Sequence, residues 1–171
     1  TRYWATNLDG RASAAMRDAL LAVHRRARAG QSVKLIGYDI WADESADRDS
    51  KGADLVRRIR ESNYSTSYWI FFGGNVHARK VKGLPFIGAP PNSDDYQPLG
   101  YLIRDWHLIH LNVASRGGTT WACIGSSAAD CKEINLGPAC TTDCPPHPII
   151  RLQAETPAYD GIYEVGKLTA S

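Results

Sequence analysis

The sequence predicts an α/β fold with a mainly parallel sheet, flanking helices and an irregular, disulfide-stapled C-terminal segment. Three stretches rich in aliphatic and aromatic residues are typical of buried strands, and segments with helical periodicity lie between them. Strands that alternate with helices favour βαβ units, whose strands run parallel. The 171 residues are enough for a hydrophobic core, so we expect a single domain over residues 1–171.

The first sixty residues contain two predicted helices around one predicted strand. Apolar residues recur at helical spacing from Ala12 to Ala29, with Ser13 as the expected N-cap and Gly30 as the expected terminator. A short apolar run over 32–39 predicts a strand that ends in a carboxylate. The segment 52–60 places its apolar residues at helical spacing and predicts the second helix.

The central part of the chain adds two strands and a long loop. The aromatic and β-branched run 67–72 predicts a strand, and 106–113 predicts another. Between them, 73–97 lacks a periodic pattern, and a loop of this length is usually functional. A short helix is predicted over 99–103, because Pro98 suits the start of a helix.

The segment 115–150 is rich in Cys, Gly and Pro and is predicted to be irregular. It holds all four cysteines, which are Cys123, Cys131, Cys140 and Cys144. An even number of closely spaced cysteines favours two local disulfides, with three alternative pairings, and hence a periplasmic or secreted protein. A structural zinc site that includes His147 is the alternative, although the spacing lacks the C-x2-C pair typical of such sites.

Charge and hydropathy exclude several classes of partner. The formal net charge of +2 comes without a block of Lys and Arg, so we expect no binding to nucleic acid. No apolar run reaches the length of a transmembrane helix. The chain also lacks a P-loop, a G-x-G-x-x-G turn, a G-x-S-x-G elbow and an H-E-x-x-H helix, and these absences argue against the corresponding enzyme classes.

Polar side chains follow two neighbouring strands of the predicted sheet. Asp39 ends the first strand, and Asn75 and His77 follow the next one along the chain. The carboxyl ends of parallel strands meet at one edge of a sheet, so these residues are expected to share a site. His77 can serve as acid, base or metal ligand, and Asn75 can orient it. Arg79 and Lys80 can hold a carboxylate or a phosphate.

Two further groups of polar residues are interpreted as mainly structural. The acidic loop 39–49 does not match a calcium loop of the EF-hand type, because Lys51 and Arg58 stand where oxygen ligands are needed. Asp39 differs from the rest of the loop because it closes an apolar strand. Asp47 or Asp49 can cap the helix that follows, and this is the favoured role for Asp49. The alternative is that Arg48-Asp49 pairs with other charges of the site. His107 and His110 fall on opposite faces of a regular strand, so a shared metal site is not expected.

Three stretches together resemble the erythromycin-esterase/ChaN-like superfamily, which also includes the Tiki and TraB proteins. They are Asn7–Met16 with its D-G-R-x-S motif, the Asp39 strand end with Arg48-Asp49 downstream, and Gly74–Arg79 with its G-N-x-H-A motif. More narrowly, the chain resembles uncharacterised proteobacterial members that carry the D-G-R-x-S-x-x-M and G-N-x-H-A motifs and a GG-x-x-W-x-C segment, which Gly117–Cys123 matches. The resemblance implies an α/β fold with a polar cleft. Members include esterases, metal-dependent proteases and haem-binding proteins.

The resemblance also implies roles for particular residues. The later histidine of the family site matches His77, its neighbours match Asn75 and Arg79, and the D-G-R stretch maps to Asp9, Gly10 and Arg11. The usual Gly-Glu-x-x-His segment has no counterpart here. We therefore expect that a missing N-terminal half or a second chain completes the sheet and the site, or that this protein has lost that half of the site.

The leading hypothesis is a hydrolase-like domain acting on an ester or amide in a small molecule or a peptide, with or without a divalent metal. His77 would be the general base or a metal ligand, and Asp39 would orient it or share the metal. Arg11, Arg48 or Arg79 would stabilise an anionic intermediate.

Two other functions remain open. The first is a haem- or metal-binding module without catalysis, for which His77, Tyr96 and Tyr101 are candidate axial ligands of haem. The second is a non-catalytic extracellular interaction domain.

Overall fold

A computed structural model describes residues 13–38, 48–63, 66–83, 93–123, 131–138, 148–153 and 156–169. Within these ranges lie three α-helices, two 3-10 helices and five strands. The α-helices are α1 (Ala14–Arg28), α2 (Arg48–Asn63) and α3 (Leu99–Leu102). The strands are β1 (Leu111–Ala114), β2 (Thr119–Cys123), β3 (Cys131–Asn135), β4 (Ile149–Arg151) and β5 (Gly161–Glu164), and the 3-10 helices span Ser93–Asp95 and Arg104–Trp106.

The chain divides into two compact units. The first comprises residues 1–36, 115–148 and 165–171, and the second comprises 37–114 and 149–164. Every residue of the candidate site described below belongs to the second unit.

Helix α1 of the first unit has the ends that the sequence predicts. The hydroxyl of Ser13 accepts a hydrogen bond from the backbone N–H of Met16 at 3.2 Å, which is the N-cap interaction. The helix ends with Ala29 as its C-cap. Gly30 follows, and its left-handed φ of 79° favours glycine. Both predicted signals are confirmed because capping depends only on residues within one or two turns of the helix end.

The rest of the first unit contains an antiparallel pair of strands. β2 and β3 pair from Thr119 opposite Asn135 to Cys123 opposite Cys131. This part of 115–150 was predicted to be irregular, and that prediction is wrong, since its Thr, Trp and Ile residues are good strand formers.

The predicted disulfide staple is also corrected. Within the described ranges no disulfide between two side chains is seen, and the side chains of Cys123, Cys140 and Cys144 lie outside those ranges. Cys131 itself is not a free thiol.

The core of the second unit lies between α2, α3 and the residues that follow α3. Ala53, Leu99 and Ile103 are almost fully buried, and partly buried side chains pack around them: Tyr38, Phe71, Leu102, Trp106 and Leu108. The ring of Phe71 lies 6.0 Å from that of Trp106 and stacks on Trp69 at 5.9 Å. Ala53 places α2 in this core, and the first turn of the same helix carries Asp49 of the candidate site.

The prediction of a mainly parallel sheet is wrong. The second unit has a three-stranded mixed sheet of order β1-β5-β4, in which β1 runs parallel to β5 and β4 runs antiparallel to it. The predicted strand 106–113 is reduced to β1, because it begins in a 3-10 helix and His107 takes a left-handed φ of 54°. The strands β4 and β5 were not predicted.

The predicted strands 32–39 and 67–72 join no ladder with the residues that the structure describes. In 67–72, Trp69 and Phe71 face the core, whereas Tyr68, Ile70 and Phe72 are 105%, 96% and 72% exposed. The continuous apolar run suggested a strand buried on both faces. The extended segment is covered on one face only.

None of the helices in the described ranges is long and apolar enough to cross a lipid bilayer.

Candidate functional site

His77 lies in a tight turn that begins at the two glycines. The turn covers residues 75–78, and the N–H of Ala78 donates to the carbonyl oxygen of Gly74 at 3.1 Å. The carbonyl of His77 in turn accepts from the N–H of Gly100 at 2.8 Å. A Cβ at position 100 would come within 2.7 Å of the carbonyl oxygens of Ala78 and Arg79. Only glycine therefore lets α3 approach this turn so closely.

The imidazole of His77 is paired with the carboxylate of Asp49. Nδ1 of His77 lies 2.7 Å from Oδ1 and 2.9 Å from Oδ2. A carboxylate accepts hydrogen bonds, so we assign the proton to Nδ1, which leaves the lone pair of the neutral ring on Nε2. The side chain of Asp49 is 9% exposed and that of His77 is 33% exposed. The buried acid thus orients a partly accessible base.

Tyr96 is the third member of this group. Its hydroxyl donates to Oδ2 of Asp49 and lies 3.2 Å from Nδ1 of His77. Burial is the main cause that raises the pKa of the Tyr96 phenol, and the hydrogen bond and the charge of Asp49 raise it further. The charge of Arg48 acts in the opposite direction. Tyr96 therefore stays protonated, as a donor, well above neutral pH.

A second set of contacts fixes the residues after His77. The ammonium of Lys80 forms an ion pair with Asp160, and the Lys80 N–H donates to the carbonyl of Ala158 at 3.0 Å. Burial alone would raise the pKa of Asp160. Hydrogen bonds from the backbone N–H of His110 and from Lys80, together with the nearby positive charge, outweigh burial and lower that pKa. Lys80 thus connects the residues that follow the His77 turn with the loop that precedes β5.

His110 also supports the turn. The residue is buried, and its Nδ1–H donates to the carbonyl oxygen of Ala78 at 2.9 Å. Its backbone N–H donates to Oδ2 of Asp160 at 2.9 Å. These contacts agree with the structural role that the sequence predicted for His110.

Asn75 and Arg79 contact Tyr159. The Tyr159 hydroxyl donates to the backbone carbonyl of Asn75 at 2.7 Å. Burial raises the pKa of Tyr159, and the charge and hydrogen bond of Arg79 partly offset this. Nε of Arg79 is buried and makes no hydrogen bond to the described residues.

The structure brings together only some of the residues that the sequence singled out. His77 is at the centre, and Arg48 is close enough for its charge to act on Tyr96. The contacts described for Arg79 and Lys80 are to Tyr159 and Asp160 rather than to His77. Asp39 and Arg11 lie outside the described residues.

Asp49 is the site residue that the sequence analysis misassigned. It was expected to cap α2, but it is the second residue of that helix and its carboxylate holds His77 and Tyr96. The Arg48-Asp49 pair belongs to one of the stretches that carry the family resemblance, and this was a signal that could have identified it.

The metal-binding prediction is corrected for the described residues. Across these ranges there is no group of three or more His, Cys, Asp or Glu side chains that could hold a metal ion. Of the two proposed metal ligands, His77 is paired with Asp49 and Asp39 is not described.

The two tyrosines among the candidate haem ligands have different surroundings. The hydroxyl of Tyr96 donates to Asp49. The ring of Tyr101 has Arg104 at 3.9 Å and Lys82 at 5.5 Å.

No family model, curated protein or solved structure matches this chain. The likeness to the erythromycin-esterase/ChaN-like superfamily therefore stays a prediction based on sequence motifs.

Proposed function

We propose that this chain carries a hydrolase-like site of the erythromycin-esterase/ChaN-like kind, in which His77 is the general base for hydrolysis of an ester or amide. The observation that supports the proposal is the pairing of Nδ1 of His77 with the buried carboxylate of Asp49. This pairing leaves Nε2 with a lone pair on a side chain that solvent reaches.

The chemistry needs only a water molecule and a carbonyl substrate. Nε2 of His77 takes a proton from water as the water oxygen attacks the carbonyl carbon. Asp49 accepts from Nδ1–H throughout and stabilises the imidazolium that forms. The imidazolium then returns its proton to the leaving alkoxide or amine as the bond to the carbonyl carbon breaks.

Positive charge near the site suits the oxyanion formed on attack. Arg48 immediately precedes Asp49 at the start of α2, and its charge is felt by Tyr96. We assign to Arg48 the stabilisation of the anionic intermediate. Arg79 holds the turn through Tyr159.

The test compares two histidine substitutions on a panel of ester and amide substrates. His77→Gln should lower kcat/KM by roughly 10²–10⁴-fold, the usual contribution of a general base. His24→Gln, at an exposed position on α1, is the matched control and should leave the rate unchanged. Equal activity of His77→Gln and the unsubstituted protein, on any substrate that is turned over, would rule out the proposal.

A further inference from the structure

We propose that Tyr96 is a positioning residue, which fixes the orientation of His77 by occupying one oxygen of Asp49. For its effect on rate this inference rests on the proposed function, but its structural content can be measured without any substrate.

The three polar groups form a closed triangle. Tyr96 and Nδ1 of His77 both contact the Asp49 carboxylate, and the tyrosine oxygen lies 3.2 Å from Nδ1. An ionised carboxylate has lone pairs for both donors. Because Nδ1 carries a proton toward Asp49, it has no lone pair for the Tyr96 hydroxyl, so the phenolic proton is directed to Oδ2.

The two distances from Nδ1 to the Asp49 oxygens agree with an arrangement in which the two donors use different oxygens. Nδ1 is closer to Oδ1, at 2.7 Å, than to Oδ2, at 2.9 Å, and Oδ2 is the oxygen that Tyr96 uses. Removing the hydroxyl would leave Oδ2 with one donor fewer in a buried place. The imidazole would then share its proton between both oxygens and rotate more freely.

Tyr96 is itself held from both sides along the chain. Its carbonyl oxygen accepts from the N–H of Gly83 at 2.8 Å, and Pro98, two residues later, is among the most deeply buried residues. The 3-10 helix Ser93–Asp95 precedes it directly. Since the backbone at this position is fixed, the hydroxyl approaches Asp49 from a defined direction.

The raised pKa of Tyr96 supports the same role. A phenol that stays protonated can only donate to the carboxylate, so the triangle keeps one hydrogen-bond pattern across the neutral range. It also excludes Tyr96 as a base that competes with His77.

The experiment uses the full chain with ¹⁵N-labelled histidine and compares Tyr96→Phe with the unsubstituted protein. The His77 signals are identified by their loss in His77→Gln. In the unsubstituted protein we expect the Nδ1–H tautomer and a slowly exchanging Nδ1 proton. In Tyr96→Phe the carboxylate of Asp49 still accepts from Nδ1–H, so we expect the same tautomer but roughly tenfold faster exchange of that proton, as for the loss of a hydrogen bond to a charged group.

The matched control is Tyr101→Phe, because the contacts described for the Tyr101 side chain are made by its ring. This variant should give the His77 spectrum of the unsubstituted protein. Tyr96→Met serves as a second variant without a hydroxyl in case Tyr96→Phe does not fold.

The outcomes separate this inference from the proposed function. If His77 in Tyr96→Phe keeps the Nδ1 proton exchange rate of the unsubstituted protein, Tyr96 is not a positioning residue. If the spectra change as expected and kcat falls about tenfold with KM unchanged, both proposals are supported. If the spectra change while His77→Gln leaves hydrolysis intact, the positioning role stands and the proposed function fails.

Discussion

The backbone N–H of Gly100 donates to the carbonyl oxygen of His77 at 2.8 Å, so the first turn of α3 rests directly on the turn that carries the candidate base. We expect Gly100→Ala to lower the free energy of unfolding by about 1–3 kcal/mol, because the added methyl group would meet two backbone oxygens that cannot move aside. Denaturant titration measures this. Gly37→Ala is the control, since its Cβ would meet nothing within 4 Å.

Removing the charge of Asp49 should remove the orientation of His77. For Asp49→Asn we expect kcat for the hydrolysis proposed here to fall by roughly 10²-fold or more, because the amide stabilises the imidazolium poorly and can turn its NH₂ toward Nδ1. Steady-state kinetics gives the answer. Asp54→Asn, at an exposed position of the same helix, should behave like the unsubstituted protein. A loss of the same size in both variants would contradict a specific role for Asp49.

Asp160 should stabilise the protein near neutral pH, and this contribution should be lost in acid. Its pKa is lowered in the folded state, so the unfolded chain binds its proton first as the pH falls. The contribution of Asp160 is present above its ordinary value of 3.8 and is lost as the pH falls through the lower, folded value. Stability curves between pH 6 and pH 2 should therefore be flatter for Asp160→Asn. An unchanged acid slope would show that the ion pair with Lys80 contributes nothing.

Tyr96 should cause the free energy of unfolding to fall in alkali. Its pKa is raised in the folded state, so the unfolded chain loses the phenolic proton first. The stability that this residue contributes is complete below its ordinary value of 10.0 and declines as the pH rises through the higher, folded value. Unfolding measured between pH 8 and pH 12 should show a smaller alkaline loss for Tyr96→Phe. If both proteins lose stability equally, the Tyr96 phenol is neither buried nor hydrogen-bonded to Asp49 in solution as described here.

The helices were more predictable from sequence than the sheet. The ends of α1 follow from Ser13 and Gly30, and α3 begins after Pro98 as expected, because these signals act over a few residues. The run 67–72 is apolar, but apolarity does not specify a hydrogen-bonding partner elsewhere in the chain. The pairing of β1 with β5 joins segments 50 residues apart, from Leu111 to Gly161, and no local pattern reveals it.

The residues of the candidate site were likewise predictable where their signals are local and not where their contacts are distant in sequence. His77 was found because a histidine after two glycines is conspicuous in the sequence. Asp49 was assigned a local role at the start of a helix, whereas its actual contact is with a residue 28 positions away. Tyr96 lies in a segment without a periodic pattern and was considered only as a haem ligand.

The contact between Asp49 and His77 also depends on the folded state of the protein. Asp49 is carried on the first turn of α2, and His77 is held by α3, so the pair exists only while both helices are in place. Any compound that binds the assembled pair but not the unfolded chain must raise the melting temperature. The free energy of unfolding rises by about 2.7 kcal/mol at a ligand concentration one hundred times Kd. A thermal-shift screen of esters, amides and their hydrolysis products can thus search for ligands of this site before any reaction has been observed.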